Sequence, residues 1–387
     1  MAKGLNIDSL KRINRGLVFQ LLATQHSCSR TDLAKESKLT KMAISNIINE
    51  FLENGLVTES SELGRGTRSN PIQLALSPTA PKVLGVLLHR RHCEAAVCDF
   101  SMQIIASESF ELPKVYTADQ LMEHIFRMTD GLLRNHPDVI GIGIGSFGPV
   151  DAHRGMLLNP MHFNDIKNLN LRDLFSQQYN LPTFLDHHYN CAALAEFYYG
   201  SGRGCSNLLY LGMTYGVGLG AICGGKLFSS HNGYSSEIGH VTVDYNGPIC
   251  DCGKRGCLSL YARPPRIIQE VANSPLIEKK ITFQEICQQS SQPAIDQILM
   301  NYMITPLVYA LSSTINLMNS DLILLGDDAA LLPDRYIGYL EQRLNEIIFT
   351  HDYHHVVVRR AMLPREYNAA MCASTVIDQV FRGKLLF

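Results

Sequence analysis

A chain of 387 residues, 46% of them hydrophobic and with a formal net charge of −2, can bury a substantial core and is too long to be one small nucleic-acid-binding module. Charge is uneven along it: residues 1–75 carry ten Lys/Arg against seven Asp/Glu, a net of +3, which leaves −5 for the rest. A basic head on an acidic body suits one polyanion-binding domain, and the absence of a signal-like start or of a membrane-length apolar run predicts a cytoplasmic protein that does not enter a membrane.

Asn6 to Ala23 spaces Ile7, Leu10, Ile13, Leu17, Val18, Leu21 and Leu22 at threes and fours, which predicts an amphipathic helix. Ser29 can cap a second helix, Arg30 to Glu36, with Leu33 and Ala34 facing inward. Ser37 to Thr40 then makes a turn, and Thr40 caps a third helix from Lys41 to about Glu53. On that third helix Ile44, Ile47, Ile48, Phe51 and Leu52 form one apolar stripe, while Lys41, Met42, Ser45, Asn46 and Asn49 fall on or beside the opposite face. Such short, donor-rich and acid-free side chains suit a groove of phosphates and base edges; a solvated face of a small helical domain is the plainer alternative. Leu56, Val57 and Thr58 read as a strand, and Ile72, Leu74 and Leu76 as a returning one. Between them Gly64-Arg65-Gly66-Thr67-Arg68 is a flexible basic turn, a wing whose Arg65 and Arg68 can reach phosphate or a minor groove, or else an ordinary surface hairpin.

Pro78 to Pro81 marks a boundary. Beyond it Val83 to Leu88 and Glu94 to Asp99 read as paired strands of an α/β domain, and Ile140-Gly-Ile-Gly-Ile-Gly as a buried strand feeding a tight loop. A second glycine series, Thr214-Tyr-Gly216-Val-Gly218-Leu-Gly220, suits a strand, a turn and another strand. Hairpins and close strand crossings explain both series as well as phosphate binding does. Asp186-His187-His188-Tyr189-Asn190 reads as a polar strand-end loop before a helix from Cys191 to Tyr199, and His351 to His355 as a turn entering a buried strand.

Of eleven cysteines, Cys93, Cys98, Cys191 and Cys223 stand isolated in apolar stretches, as reduced buried thiols do, whereas Cys250, Cys252 and Cys257 cluster. With His240 of Glu237-Ile-Gly-His240 they offer one imidazole and three thiolates, a donor set that favours Zn²⁺; four protein ligands leave no open position, so the site is expected to be structural. Free surface thiols or a Cys250–Cys257 disulfide are the alternatives. Because His240 lies close to Glu237 in sequence, fixing the imidazole would also fix that carboxylate.

The helical head, the glycine series, Glu237-Ile-Gly-His240 and Cys250-x-Cys252-Gly-x-x-Gly-Cys257 together resemble the ROK family of repressors, open reading frames and sugar kinases, over nearly the whole chain. The resemblance implies an α/β protein: a winged helix-turn-helix (1–78) followed by a two-lobed body of the sugar kinase and actin type, ribonuclease H-like. The lobes would span 82–190 and 191–387, the second carrying zinc and sending its C-terminal helix back to the first. It also implies a homodimer or homotetramer reading a palindromic double-stranded DNA operator, and a sugar or sugar-phosphate effector held by Glu237 and His240, with His187, His188 and Arg154 as further polar or anion contacts. The kinase pattern fails residue by residue. Leu84-Gly-Val-Leu-Leu-His-Arg-Arg lacks the Gly-Gly-Thr phosphate turn, His187-His188 replace an Asn-Asp pair that supplies the base, and Ser259 stands where the kinases carry a glutamate. The expectation is a non-enzymatic, sugar-modulated repressor of carbohydrate metabolism or transport genes rather than an ATP-dependent kinase, with control by a protein partner as a further alternative.

Overall fold

Ser29 and Thr40 set the helix starts of the N-terminal region in the computed structural model, which describes residues 6–25, 27–60, 72–228, 232–274, 281–364 and 368–385. The Ser29 hydroxyl accepts from the Asp32 amide while the Asp32 carboxylate accepts from the Ser29 amide, a reciprocal cap on α2 (Arg30–Ser37). Thr40 Oγ1 accepts from the Ala43 amide and opens α3 (Lys41–Glu53). These helices follow α1 (Ile7–Gln25) and β1 (Cys28–Ser29); β2 (Val57–Ser60) and β3 (Gln73–Leu76) complete an antiparallel three-stranded sheet in the order β1-β3-β2. The α1 stripe holds in its second half only. Val18 and Leu22 are buried as the spacing predicts, together with Phe19, while Ile7, Leu10 and Ile13 of the first half are exposed. Phe19 meets Phe51 edge-on at 5.7 Å, so the aromatic residue fixes which face turns inward.

The chain divides into two compact units, residues 1–191 with 366–387 and residues 192–365. In the first, the head is followed by β4 (Lys82–Leu88), β5 (His92–Cys98), β6 (Ile104–Glu111), α4 (Ala118–Asn135), β7 (Val139–Ser146), the small hairpin β8 (Val150–Asp151) and β9 (Met156–Leu157), α5 (Leu171–Tyr179), β10 (Thr183–His187) and the start of α6 (His188–Tyr199). Its sheet runs β10-β7-β4-β5-β6, with β10, β7 and β4 parallel and β5 antiparallel to both its neighbours. Asp186 and His187 lie in β10 and His188 opens α6, so the segment read as a loop is a strand-to-helix junction. The Asp186 carboxylate closes it by accepting from the His187 amide and the Asn190 side chain.

The second unit holds β11 (Leu208–Met213), β12 (Val217–Cys223), β13 (Lys226–Leu227), α7 (Ser259–Ala262), α8 (Pro264–Ala272), α9 (Phe283–Gln288), α10 (Pro293–Ile298), α11 (Thr305–Met318), β14 (Leu322–Asp327), α12 (Asp334–Ile347) and β15 (Val357–Arg360). Its sheet runs β13-β12-β11-β14-β15. Both large sheets therefore place their strands third, second, first, fourth, fifth with the second antiparallel, the arrangement of the ribonuclease H-like lobe. The helical stretch Pro293–Met318 is long and apolar enough to cross a membrane by length and composition, contrary to the sequence expectation, yet 56% of its most apolar part is buried inside the protein. Leu299, Met303, Leu307, Leu311 and Ile315 form the centre of this unit's core, which accounts for the hydropathy.

The helix α13 (Asn368–Phe381) belongs to the first unit and is buried over most of its length. The glycine series of β7 faces it. A Cβ at Gly143 would overlap the Cys372 carbonyl oxygen, one at Gly145 the Cys372 sulfur, and one at Gly85 of β4 the Ala369 carbonyl. These glycines serve a close helix–sheet crossing and are not a phosphate loop. We expect Gly143→Ala to destabilise the protein by about 1–3 kcal/mol or more, as overpacking against backbone does. Gly338→Ala, at an open position of α12, should instead be neutral to stabilising by about 0.5–1 kcal/mol. Chemical denaturation of both variants checks the contrast, and equal stabilities would contradict the crossing.

Candidate functional site: an exposed helix face and a four-donor cluster

Packing decides which side of α3 is offered to solvent. Ile44, Ile48 and Phe51 are each 0% exposed, while Met42 is 76% exposed and Lys41, Asn46 and Asn49 are exposed beside it. Ser45 is half-buried at the edge of that face. Each fully buried side chain of this kind is worth about 1.5–3 kcal/mol over exposure, so turning the polar face inward would cost the core more than the polar groups could return. An ion pair between Arg15 and Glu50 at 2.8 Å ties α3 to α1. β2 and β3 pair from Val57↔Leu76 to Ser60↔Gln73 and so bracket the expected wing; Arg65 and Arg68 lie outside the described residues.

The four-donor cluster is built by a loop folded back on itself. Ile238–His240 forms one 3₁₀ turn, Thr242 bridges to Cys257 and Ile249 to Arg255, and the Cys250 amide donates to the Lys254 carbonyl at 2.7 Å. Gly256, at φ +59°, sits against the Asp244 carbonyl, where a Cβ would overlap backbone. The result gathers one donor atom each from His240, Cys250, Cys252 and Cys257 within 4.8 Å of one another. His240 Nδ1 is 3.7 Å from Cys250 Sγ, and the sulfurs of Cys252 and Cys257 are 3.6 Å apart with every cysteine free, so the disulfide alternative is not realised. Burial, aided by Lys254, lowers the His240 pKa and keeps the imidazole in its neutral, metal-ligating form. These four residues form a candidate metal site.

Next to the cluster, Glu237 is exposed and accepts from Ser235 at 3.3 Å. Gly239 lets the 3₁₀ turn approach β12 and Ser259: a Cβ there would meet both the Val217 carbonyl and Ser259 Oγ. In the first unit His187 is buried, and burial alone lowers its pKa to about 4, so it is neutral; its Nδ1 accepts from the Tyr189 amide. Burial also holds His188 well below the usual histidine range, and its Nδ1 bonds the Ser146 carbonyl at 3.1 Å. Arg154 is exposed in the β8–β9 turn, where its amide donates to Asp151. Arg90, which the sequence did not single out, lies half-buried over Phe147 at 4.5 Å.

A helix-turn-helix head followed by ribonuclease H-like units and a His/Cys₃ loop defines the class of a regulator built on a sugar-kinase scaffold. The ROK family profile matches residues 83–379, and the chain belongs to that family. It is similar to the xylose repressor of Caldicellulosiruptor bescii, 22% identical with 97% of this chain and 98% of the relative covered. It is also similar to the DNA-binding transcriptional dual regulator NagC of Escherichia coli, 26% identical with 85% and 84% covered. Among solved structures, a ROK family transcriptional regulator described as a homologue of the E. coli MLC protein superposes with a TM-score of 0.81 at 23% identity, covering 97% of this chain and 98% of that one.

Elemental analysis checks the metal site. Purified protein should carry a stoichiometric divalent metal that Cys257→Ser loses, with a lower Tm. A metal-free wild type whose Tm is unmoved by added metal would contradict it.

Proposed function

We propose that this chain is a sequence-specific transcription regulator that represses genes of carbohydrate metabolism or transport and releases its operator on binding a sugar or sugar-phosphate effector. The observation that carries the reading is the α3 face: Lys41, Met42, Asn46 and Asn49 exposed, with Ser45 at the rim, above a fully buried Ile44/Ile48/Phe51 stripe. Asn46, Asn49 and Ser45 are assigned to base edges, Lys41 to phosphate or guanine, and Met42 to apolar contact such as a thymine methyl. Arg65 and Arg68 are assigned to the wing. The names of two relatives, a xylose repressor and a DNA-binding dual regulator, support the same reading. A homodimer or homotetramer pairing two heads would read a palindromic operator.

Zinc is the metal we assign to the cluster. Tetrahedral Zn–S bonds of about 2.3 Å require donors about 3.8 Å apart, close to the 3.6 and 3.7 Å separations here. With all four positions filled by protein, the ion would be structural, and would orient His240 and neighbouring Glu237 for hydroxyl recognition in the second unit. His187, His188 and Arg154 remain the sequence-derived candidates in the first. A kinase is the weaker reading, because His89 and Arg90 occupy the β4–β5 turn and the neutral histidines His187, which ends β10, and His188, which opens α6, stand at the strand end.

Operator binding by single variants tests the DNA assignment. Asn46→Ala and Asn49→Ala should each cost about 1–3 kcal/mol of discrimination at one operator position. Lys41→Ala and Arg65→Ala should lower affinity uniformly and reduce the salt slope by about one. Unchanged affinity and preference in all four would refute the assigned surface.

A further inference from the structure

The carboxyl ends of the three parallel strands of the first unit converge in register, since Leu88 of β4 and His187 of β10 both pair with Ser146 of β7. Ligands of open α/β sheets collect at this edge, where backbone ends and helix starts leave polar groups unspent. The residues that follow these strand ends are Arg90, Phe147 and His188.

Arg90 stacks its guanidinium on the Phe147 ring at 4.5 Å and donates from one terminal nitrogen to the Met161 carbonyl. Burial lowers its pKa, and only Tyr116 opposes that effect. Among the described residues no carboxylate pairs with it. A half-buried guanidinium carries a desolvation cost that proteins ordinarily offset with an acid. Behind it Phe147, Phe163 and Tyr116 form an apolar wall, with centroids 4.8 Å apart for the first pair and 5.7 Å for Phe163 and Tyr116. His188 supplies the second, independent observation. Its Nδ1 donates to the Ser146 carbonyl, so in the neutral ring Nε2 is left as an acceptor, and that atom is buried with no hydrogen-bond partner among the described residues. Geometry brings the two to one edge: Arg90 stacks on Phe147, the residue after the Ser146 whose carbonyl holds His188, and the rings of His188 and of His89, which precedes Arg90, have centroids 6.3 Å apart.

A cation with no carboxylate partner among the described residues and an unpartnered acceptor at one strand-end edge ask for one ligand carrying an anionic group and a nearby hydroxyl. We propose that Arg90 and His188 form the recognition site for an anionic polyol, its charged group held by the Arg90 guanidinium and an adjacent hydroxyl donating to His188 Nε2. The inference rests on the effector reading above and sharpens it: the effector is a sugar phosphate or a sugar acid, and neutral sugars bind more weakly. Phosphate and carboxylate can each accept two parallel hydrogen bonds from a guanidinium, so the charge is assigned and its carrier is left to the test.

The experiment titrates the full-length protein with neutral hexoses and pentoses, their phosphates and the matching uronates by calorimetry, and repeats it with Arg90→Gln, Arg90→Lys and His188→Ala. At least one anionic member should bind about tenfold or more tighter than its neutral parent. Arg90→Gln should erase that preference, Arg90→Lys should restore part of it, and His188→Ala should weaken charged and neutral ligands alike. Whichever of phosphate or uronate is preferred names the carrier. Neutral sugars bound as tightly as their anionic forms, or an anion preference that survives Arg90→Gln, would overturn the site while leaving the effector reading in place. Failure of every compound to bind a protein that still holds its operator would overturn the effector reading and this inference together.

Discussion

The close approach of α13 to the β4/β7 face is the constraint on which the first unit depends. Gly85, Gly143 and Gly145 give up side chains so that helix backbone can lie where Cβ atoms would otherwise stand. The same helix reaches the helix-turn-helix head at its far end: Phe381 packs on Phe19 at 6.3 Å and on Phe100 at 6.4 Å, and Gly16 of α1 abuts the Phe381 carbonyl so closely that a Cβ would overlap it. Phe19 also meets Phe100 at 5.0 Å. One aromatic cluster thus joins α1, α13 and the turn after β5, and Phe19 carries it on to Phe51 of α3. The head is anchored to this unit by packed core and not by a bare linker.

That anchoring bears on how a regulator of this design can respond. A ligand alters operator affinity only by favouring one arrangement over another. Arg90, Phe147 and His188 follow the carboxyl ends of the strands whose opposite helix, α13, touches α1. Side chains packed this tightly move as discrete rearrangements, so a small shift of the sheet has a physical route to α1.

Much of this was legible in the residues. The third helix runs over Lys41–Glu53 as its cap and stripe predict, because Thr40, Ile44, Ile48 and Phe51 all vote for one register. The His240/Cys₃ loop was readable because metal donors announce themselves by type and spacing. Along α1 the periodicity predicts the helix and the burial of Val18 and Leu22 but not the exposure of Ile7, Leu10 and Ile13: whether an apolar side chain is covered is decided by partners distant in sequence, and it is Phe19 that finds Phe51, Phe100 and Phe381. The Pro293–Met318 helix escaped notice because Asn301 and Asp296 interrupt its apolar run while its core-facing side remains apolar. Arg90 carried no motif at all. Its interest comes from what it lacks in three dimensions, an acid paired with it among the described residues, and no local pattern encodes that.

The account stands most directly on whether this protein selects a DNA sequence. An unbiased selection of genomic duplex fragments by the full-length protein, followed by sequencing, is predicted to enrich a motif with two related half-sites, and to lose that enrichment when Asn46 and Asn49 are both changed to alanine. Fragments recovered without any common sequence, or a motif indifferent to both substitutions, would contradict it.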